Sequence, residues 1–149
     1  MTPADLPAAL ELWRATEGMG LGESDTPEAL AAFLERNPEM STVAVRPDGT
    51  LAGAVLCGDD GRRGYLHHLA VAKSHRRLGI ARALIDRSLA LLAARGIPRC
   101  NLFLLADNAD GEAFWRRQGW SVRDNLKVMQ KPIQGLAAGA NPVRGARTC

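Results

Sequence analysis

The stretch His68–Ile85, HLAVAKSHRRLGIARALI, decides how this chain folds. An apolar strand ending in Leu69, Ala70 and Val71 enters a basic loop. A helix follows whose first turn contains Gly79 and Ala81, with no bulky side chain at either position. Such a junction presents unpaired backbone amides, and the helix dipole reinforces their attraction for phosphate oxygens. Gly79 permits close approach of a ligand. Arg76, Arg77 and Arg82 add charge, although a backbone cradle does not require all three to touch the ligand. The spacing predicts a helix over 80–94, with Ala81, Ile85, Ser88 and Leu92 on one stripe and Arg82, Asp86 and Arg87 toward water.

Working outward, the strand YLHHLAV covers 65–71, and period-two alternation puts Tyr65, His67, Leu69 and Val71 on one face and His68 on the other. TVAV at 42–45 and LAGAVLC at 51–57, joined by a turn at Pro47, Asp48 and Gly49, read as antiparallel neighbours before it. Leu6, Leu10 and Trp13 recur at helical spacing, so a helix is expected over about 4–16. A second covers about 27–36, with Thr26 as its cap and Pro27 in its first turn. Between them, EGMGLGESD is loop-like, and Glu17, Glu23 and Asp25 on it are weak candidates for substrate contact. Downstream, RCNLFLL at 99–105 reads as a strand and 111–117 as a short helix. The segments WSV and LKVMQ read as a closing hairpin around Asp124 and Asn125. This order implies an α/β (α+β) single domain, a mixed central sheet flanked by helices.

At 149 residues, 46% hydrophobic and 23% charged, the chain has the size and composition of one folded domain. The longest apolar run, LALLAA at 89–94, is far short of the roughly 20 residues that span a bilayer. No export signal is evident at the N-terminus. Cys57, Cys100 and Cys149 lack CxxC spacing and read as free thiols in a reducing cytoplasm, and the three histidines lack metal-motif spacing, so no metal site is expected. Net charge is +3 but uneven: residues 1–70 hold five basic and eleven acidic side chains, whereas 71–95 hold six and one. That contrast favours a small anionic ligand near 71–95 over nucleic acid, whose duplex footprint requires many phosphate contacts. Residues 135–149, with three glycines and no apolar period, read as a flexible tail beyond a domain at 1–134.

The motif GxxxxGK[ST] is absent, and so is GxGxxG. RRLGIA, residues 76–81, instead resembles the R/Q-x-x-G-x-G/A motif of the GNAT superfamily of acyl-coenzyme A dependent N-acyltransferases. LADNADGEAFWRRQGW, residues 105–120, resembles the family's Asn followed by an aromatic-rich helix and a Gly-aromatic pair. The likeness covers about 3–132. It implies acetyl-coenzyme A in a V-shaped opening between parallel strands at 65–71 and 100–105. Backbone near Leu69 and Val71 would run beside the pantetheine, and the amides of Arg77 to Arg82, through Gly79, Ile80 and Ala81, would hold the pyrophosphate. Asn108 aligns with an Asn that contacts the coenzyme arm; a helix cap is its alternative role. The implied reaction is direct attack of a primary amine on the thioester, with no protein nucleophile.

Two departures qualify the likeness. Where many members carry a Tyr as general acid, this chain has Trp115, which has no ionisable hydroxyl and reads as packing beside the pantetheine or the core. The strand that usually precedes the first helix is short or absent. Candidates for proton transfer are Tyr65 and His67; histidine has the better unperturbed pKa, and His68 is a weaker third. The expected function is therefore an N-acetyltransferase with a small-molecule or peptide amine as acceptor, and the alternative is a noncatalytic acyl-coenzyme A binding or regulatory domain. A homodimer is compatible with the sequence, but no feature fixes its interface.

Overall fold

Gly79 takes the left-handed conformation, φ 79°, and starts α3 (Ile80–Ala94), which matches the expected span. Thr26 caps α2 (Pro27–Arg36), its Oγ1 accepting from the Ala29 N–H at 3.2 Å. Three residues of 3-10 helix, Pro3–Asp5, lead into α1 (Leu6–Arg14). The strands are β1 (Thr42–Val45), β2 (Leu51–Asp59), β3 (Gly64–Val71) and β4 (Cys100–Leu102), and α4 (Ala109–Arg117) follows them. This computed structural model describes residues 1–133; the tail expected at 135–149 lies outside the described residues.

The sheet runs in the order β1-β2-β3-β4, antiparallel until the parallel β3–β4 pair, so the expected mixed sheet is present. Two apolar layers hold it. On one face Leu6, Leu10 and Trp13 of α1 and Leu30 and Leu34 of α2 pack on Ala54, Leu56 and Ala70. On the other, Leu84, Ile85 and Leu92 of α3 pack on Val55, Cys57 and Leu66. Burying one such side chain contributes about 1.5–3 kcal/mol, so α3 is held by its packing stripe more than by its intrinsic propensity.

The sequence and the structure part company at three places. Alternation along β3 fails at His68, φ 51°: the register with β2 steps from Leu56↔His67 to Ala54↔Ala70, leaving an extra residue on β3, a β-bulge. Tyr65 and His67 keep the α1–α2 face, His68 joins them there, and Leu69 turns to the α3 layer. Val71, opposite Gly53, follows it, because a Cβ on Gly53 would lie 3.0 Å from Ile80. The strand expected over 99–105 is ordered as β only at Cys100–Leu102. The closing hairpin is absent: residues 120–133 make a turn at Arg123–Leu126 but no ladder, and Val122, Leu126, Val128 and Met129 are exposed. A hairpin needs a face to bury and a neighbouring strand to extend, and a three-residue β4 offers little of either.

Candidate active site

β3 and β4 are paired only at Gly64↔Cys100, Tyr65↔Asn101 and Leu66↔Leu102. β4 then ends while β3 continues to Val71, so the two parallel strands part beside the bulge and, among the described residues, one edge of His67–Val71 has no strand neighbour. A cavity of about 90 Å³ occupies this fork, lined by Met19, Leu66, His68, Leu69, Phe103 and Trp115 among others. A larger groove, about 590 Å³, runs along the outer edge of β4 and includes only Trp115 of the expected site residues. Its size reflects the missing closing hairpin. The fork, where strand, bulge and helix start converge, is the better candidate.

At the C-terminal mouth of the fork the chain turns through Lys73–His75, and Arg77, at φ 64°, leads into Gly79. No side chain caps α3, and among the described residues the amides of Arg77 to Arg82 have no hydrogen-bond partner. Among the described residues a Cβ on Gly79 would meet nothing within 4 Å, which leaves the space above this helix start open to them. These are the features of an anion cradle made of backbone. Arg76 reaches back to the Val71 carbonyl (Nε–O 3.4 Å), and Arg82 pairs with Asp86 at 3.6 Å on the exposed helix surface. Ile80 and Ala81 are half-buried in the first turn.

The remaining expected residues are spread around the fork. Asn108 caps α4, accepting from the Gly111 N–H at 2.8 Å, and its side chain also fills the space beside Gly18, where a Cβ would lie 2.8 Å from Nδ2. Trp115 stands edge-on to Phe114 and Trp120, with ring centroids 5.3 and 5.0 Å away, and lines the cavity. Tyr65 sits at the closed end of the fork, its hydroxyl directed to Asp60 Oδ2 at 3.4 Å. His67 lies among rings, 6.1 Å from Phe33, 6.2 Å from Tyr65 and 6.5 Å from Phe103. Burial holds its pKa below the usual histidine range, helped by the neighbouring His68 and opposed by Asp25.

One pair escaped the sequence reading. His68 Nε2 lies 2.7 Å from Asp25 Oδ1, with both side chains about six-sevenths buried, and Asp25 Oδ2 accepts from the Gly22 N–H at 2.6 Å. Trp13 packs on the His68 ring at 5.2 Å. The α1–α2 loop is thus tied across the fork at three points: Asp25 to His68, Gly18 against Asn108, and a solvent-exposed Glu17–Lys73 pair at 3.5 Å. Nothing local in the sequence signals the 43-residue link between Asp25 and His68. Strict alternation turns His68 the wrong way, and only the bulge reverses it.

An open α/β sheet forked between parallel strands, with an uncapped helix start at the mouth of the fork, defines a fold of the acyltransferase type. The chain belongs to the acetyltransferase (GNAT) family, whose model matches residues 6–120. A relative from Pectobacterium atrosepticum named as an acetyltransferase is 35% identical over 131 residues, 87% of this chain and 91% of its own length. Among solved structures, Ard1 of Thermoplasma volcanium is similar in fold with a TM-score of 0.72 at 18% identity, covering 83% of this chain and 80% of its own. The PaiA N-acetyltransferase of Thermoplasma acidophilum, solved in complex with coenzyme A, has a TM-score of 0.71 at 20% identity, covering 83% and 88%. At those identities the two structures speak to the fold alone.

Proposed function

We propose that this protein transfers the acetyl group of acetyl-coenzyme A to a primary amine. The observation that carries the reading is the parting of β3 from β4 directly before the uncapped start of α3. The cradle fits the group it would hold: its amides are unpartnered among the described residues, the space at Gly79 is open to them, and Lys73, Arg76, Arg77 and Arg82 stand on the loop and first helical turn that form it. Amides of Arg77, Gly79, Ile80, Ala81 and Arg82 would hold the pyrophosphate, with Arg76 adding charge. Backbone groups of Leu69 and Val71 would bind the pantetheine arm, and Trp115 would pack against it. Bound acetyl-coenzyme A supplies an activated thioester. Backbone N–H groups beside the bulge would polarise the acyl carbonyl, and the fork would hold the amine in line with it. Asp25, Glu17 and Glu23 on the loop over the fork favour a cationic acceptor, either a small molecule or a peptide N-terminus.

The test is calorimetric titration with acetyl-coenzyme A, coenzyme A and adenosine diphosphate at two temperatures, because enthalpy can cancel at one. One-to-one binding of acetyl-coenzyme A, tighter than adenosine diphosphate, is expected; no binding in folded protein overturns the reading. Thiol release is then followed over a panel of amino acids, polyamines and peptides. Trp115 at the place of a general acid, wedged between Phe114 and Trp120, favours one second reading, a noncatalytic acyl-coenzyme A binding domain. Binding without transfer across the panel would select it.

A further inference from the structure

We propose that His68, oriented by Asp25, takes the proton from the acceptor amine. The inference rests on the acyl-transfer reading above and supplies the proton acceptor which that reading leaves open.

Four observations converge on this ring. The bulge places His68 at the point where β3 leaves β4, and the ring lines the cavity there together with Leu69, Phe103 and Trp115. Its backbone is left-handed, φ 51°, a conformation that is uncommon for a residue other than glycine and that recurs where a side chain is re-aimed into a site. Asp25 engages Nε2 at 2.7 Å, while Nδ1 has no hydrogen-bond partner among the described residues. Trp13 packs on the ring and limits its rotation. A carboxylate on Nε2 selects the tautomer with its proton there, so the lone pair belongs to Nδ1. The arrangement is a carboxylate–imidazole pair of the kind that holds a base in one tautomer and stabilises the imidazolium it becomes.

The other two candidates are less well placed. The Tyr65 hydroxyl is directed to Asp60 at the closed end of the fork. Among the described residues His67 has no carboxylate partner, and it lies among Phe33, Tyr65 and Phe103. The titratable groups facing His68 are Asp25 from the α1–α2 loop and His67 on its own strand; α1 presents Trp13 and α4 presents Trp115. In the step, a bond forms between the amine nitrogen and the acyl carbon, and the C–S bond breaks with its electron pair on sulfur. The ammonium proton moves to His68 Nδ1, then passes through solvent to the thiolate. Amine and thioester become amide and thiol, and the imidazole returns to its neutral form.

Two measurements on the full-length protein test this. The first is ring-nitrogen NMR of His68 without ligand. The neutral ring is expected to carry its proton on Nε2, held in the hydrogen bond to Asp25. A proton on Nδ1 overturns the proposal whether or not an acceptor is in hand. The second uses the amine that turns over fastest in the panel. His68→Asn retains a residue at home in the left-handed region and removes the titrating group. It should lower kcat/KM about 100-fold or more and abolish the acidic limb of the pH profile, with acetyl-coenzyme A affinity retained. Asp25→Asn should lower kcat about tenfold with acetyl-coenzyme A affinity retained. A wild-type limb in His68→Asn overturns the proposal, and so does a parallel loss of coenzyme affinity and thermal stability in both variants, which would make the pair a structural tether. If the wild-type protein fails to bind acetyl-coenzyme A, or binds it without transfer, the acyl-transfer reading itself fails and this proposal falls with it.

Discussion

Gly79 shows how a site can be made of backbone. Its φ of 79° and the open space beside it mean that a side chain there meets no atom of the described residues but does meet a conformational penalty and whatever approaches the α3 amides. Gly79→Val should destabilise the fold by about 1–2 kcal/mol, the cost of a left-handed L-residue, and weaken acetyl-coenzyme A binding at least about tenfold. Thermal unfolding and calorimetry separate the two effects. His67 gives a pH-dependent case. Burial, with His68 adding to it, lowers its folded-state pKa below the unfolded value of 6.5. The unfolded chain therefore binds the proton more readily, so this contribution to stability is present above about pH 6.5 and is lost as pH falls through the folded value. Denaturant midpoints should drop between pH 7.5 and pH 5, and His67→Gln should flatten that drop. Gly79 was legible because LGIA sits between a basic loop and an amphipathic helix. His68 was not, because one inserted residue exchanges the faces of β3.

At the scale of elements, β3 is the strand on which packing and site meet. Its N-terminal half is pressed onto α3: a Cβ on Gly64 would lie 2.5 Å from Cδ1 of Leu92, itself 2% exposed. Gly64→Ala should cost about 1–3 kcal/mol by overpacking, measured as a shift in the urea midpoint at unchanged slope. The C-terminal half is free of β4 and packs differently after the bulge, with Ala70 in the α1–α2 layer and Leu69 against the α3 layer. Element existence and type were legible wherever the apolar period was long, as in α2 and α3, or where a turn such as Pro47–Gly49 marked the hairpin. The ends of the chain's regular structure were not. WSV and LKVMQ have strand composition, yet Val122, Leu126 and Val128 remain exposed, because strand propensity describes fit to a sheet that must already be there.

Across the whole molecule, the sheet divides two apolar layers, and both described cysteines belong to the α3 side. Burial pushes the Cys57 thiol up to about 11 and the Cys100 thiol up to about 12. At pH 8 the thiolate fraction of each is then about one part in a thousand or less. In a Cys149→Ser background, iodoacetamide should label the native protein slowly and the urea-unfolded protein rapidly, and acetyl transfer should survive the native treatment. Neither thiol is needed as a nucleophile in direct attack. Among the described residues no helix is long and apolar enough to cross a membrane. What the sequence by itself determined is what depends on neighbours in the chain: the span of α2 and α3, the capping Thr26, the glycine at the start of α3, and through the motifs around them the family. The tertiary structure alone decided which residues meet: the parting of β3 from β4, the switch of faces at His68, and the approach of Asp25 across 43 positions. The physical reason is that helix period and turn chemistry are local. A bulge is set by register with a partner strand, and a carboxylate–imidazole pair by two layers packing on the same sheet.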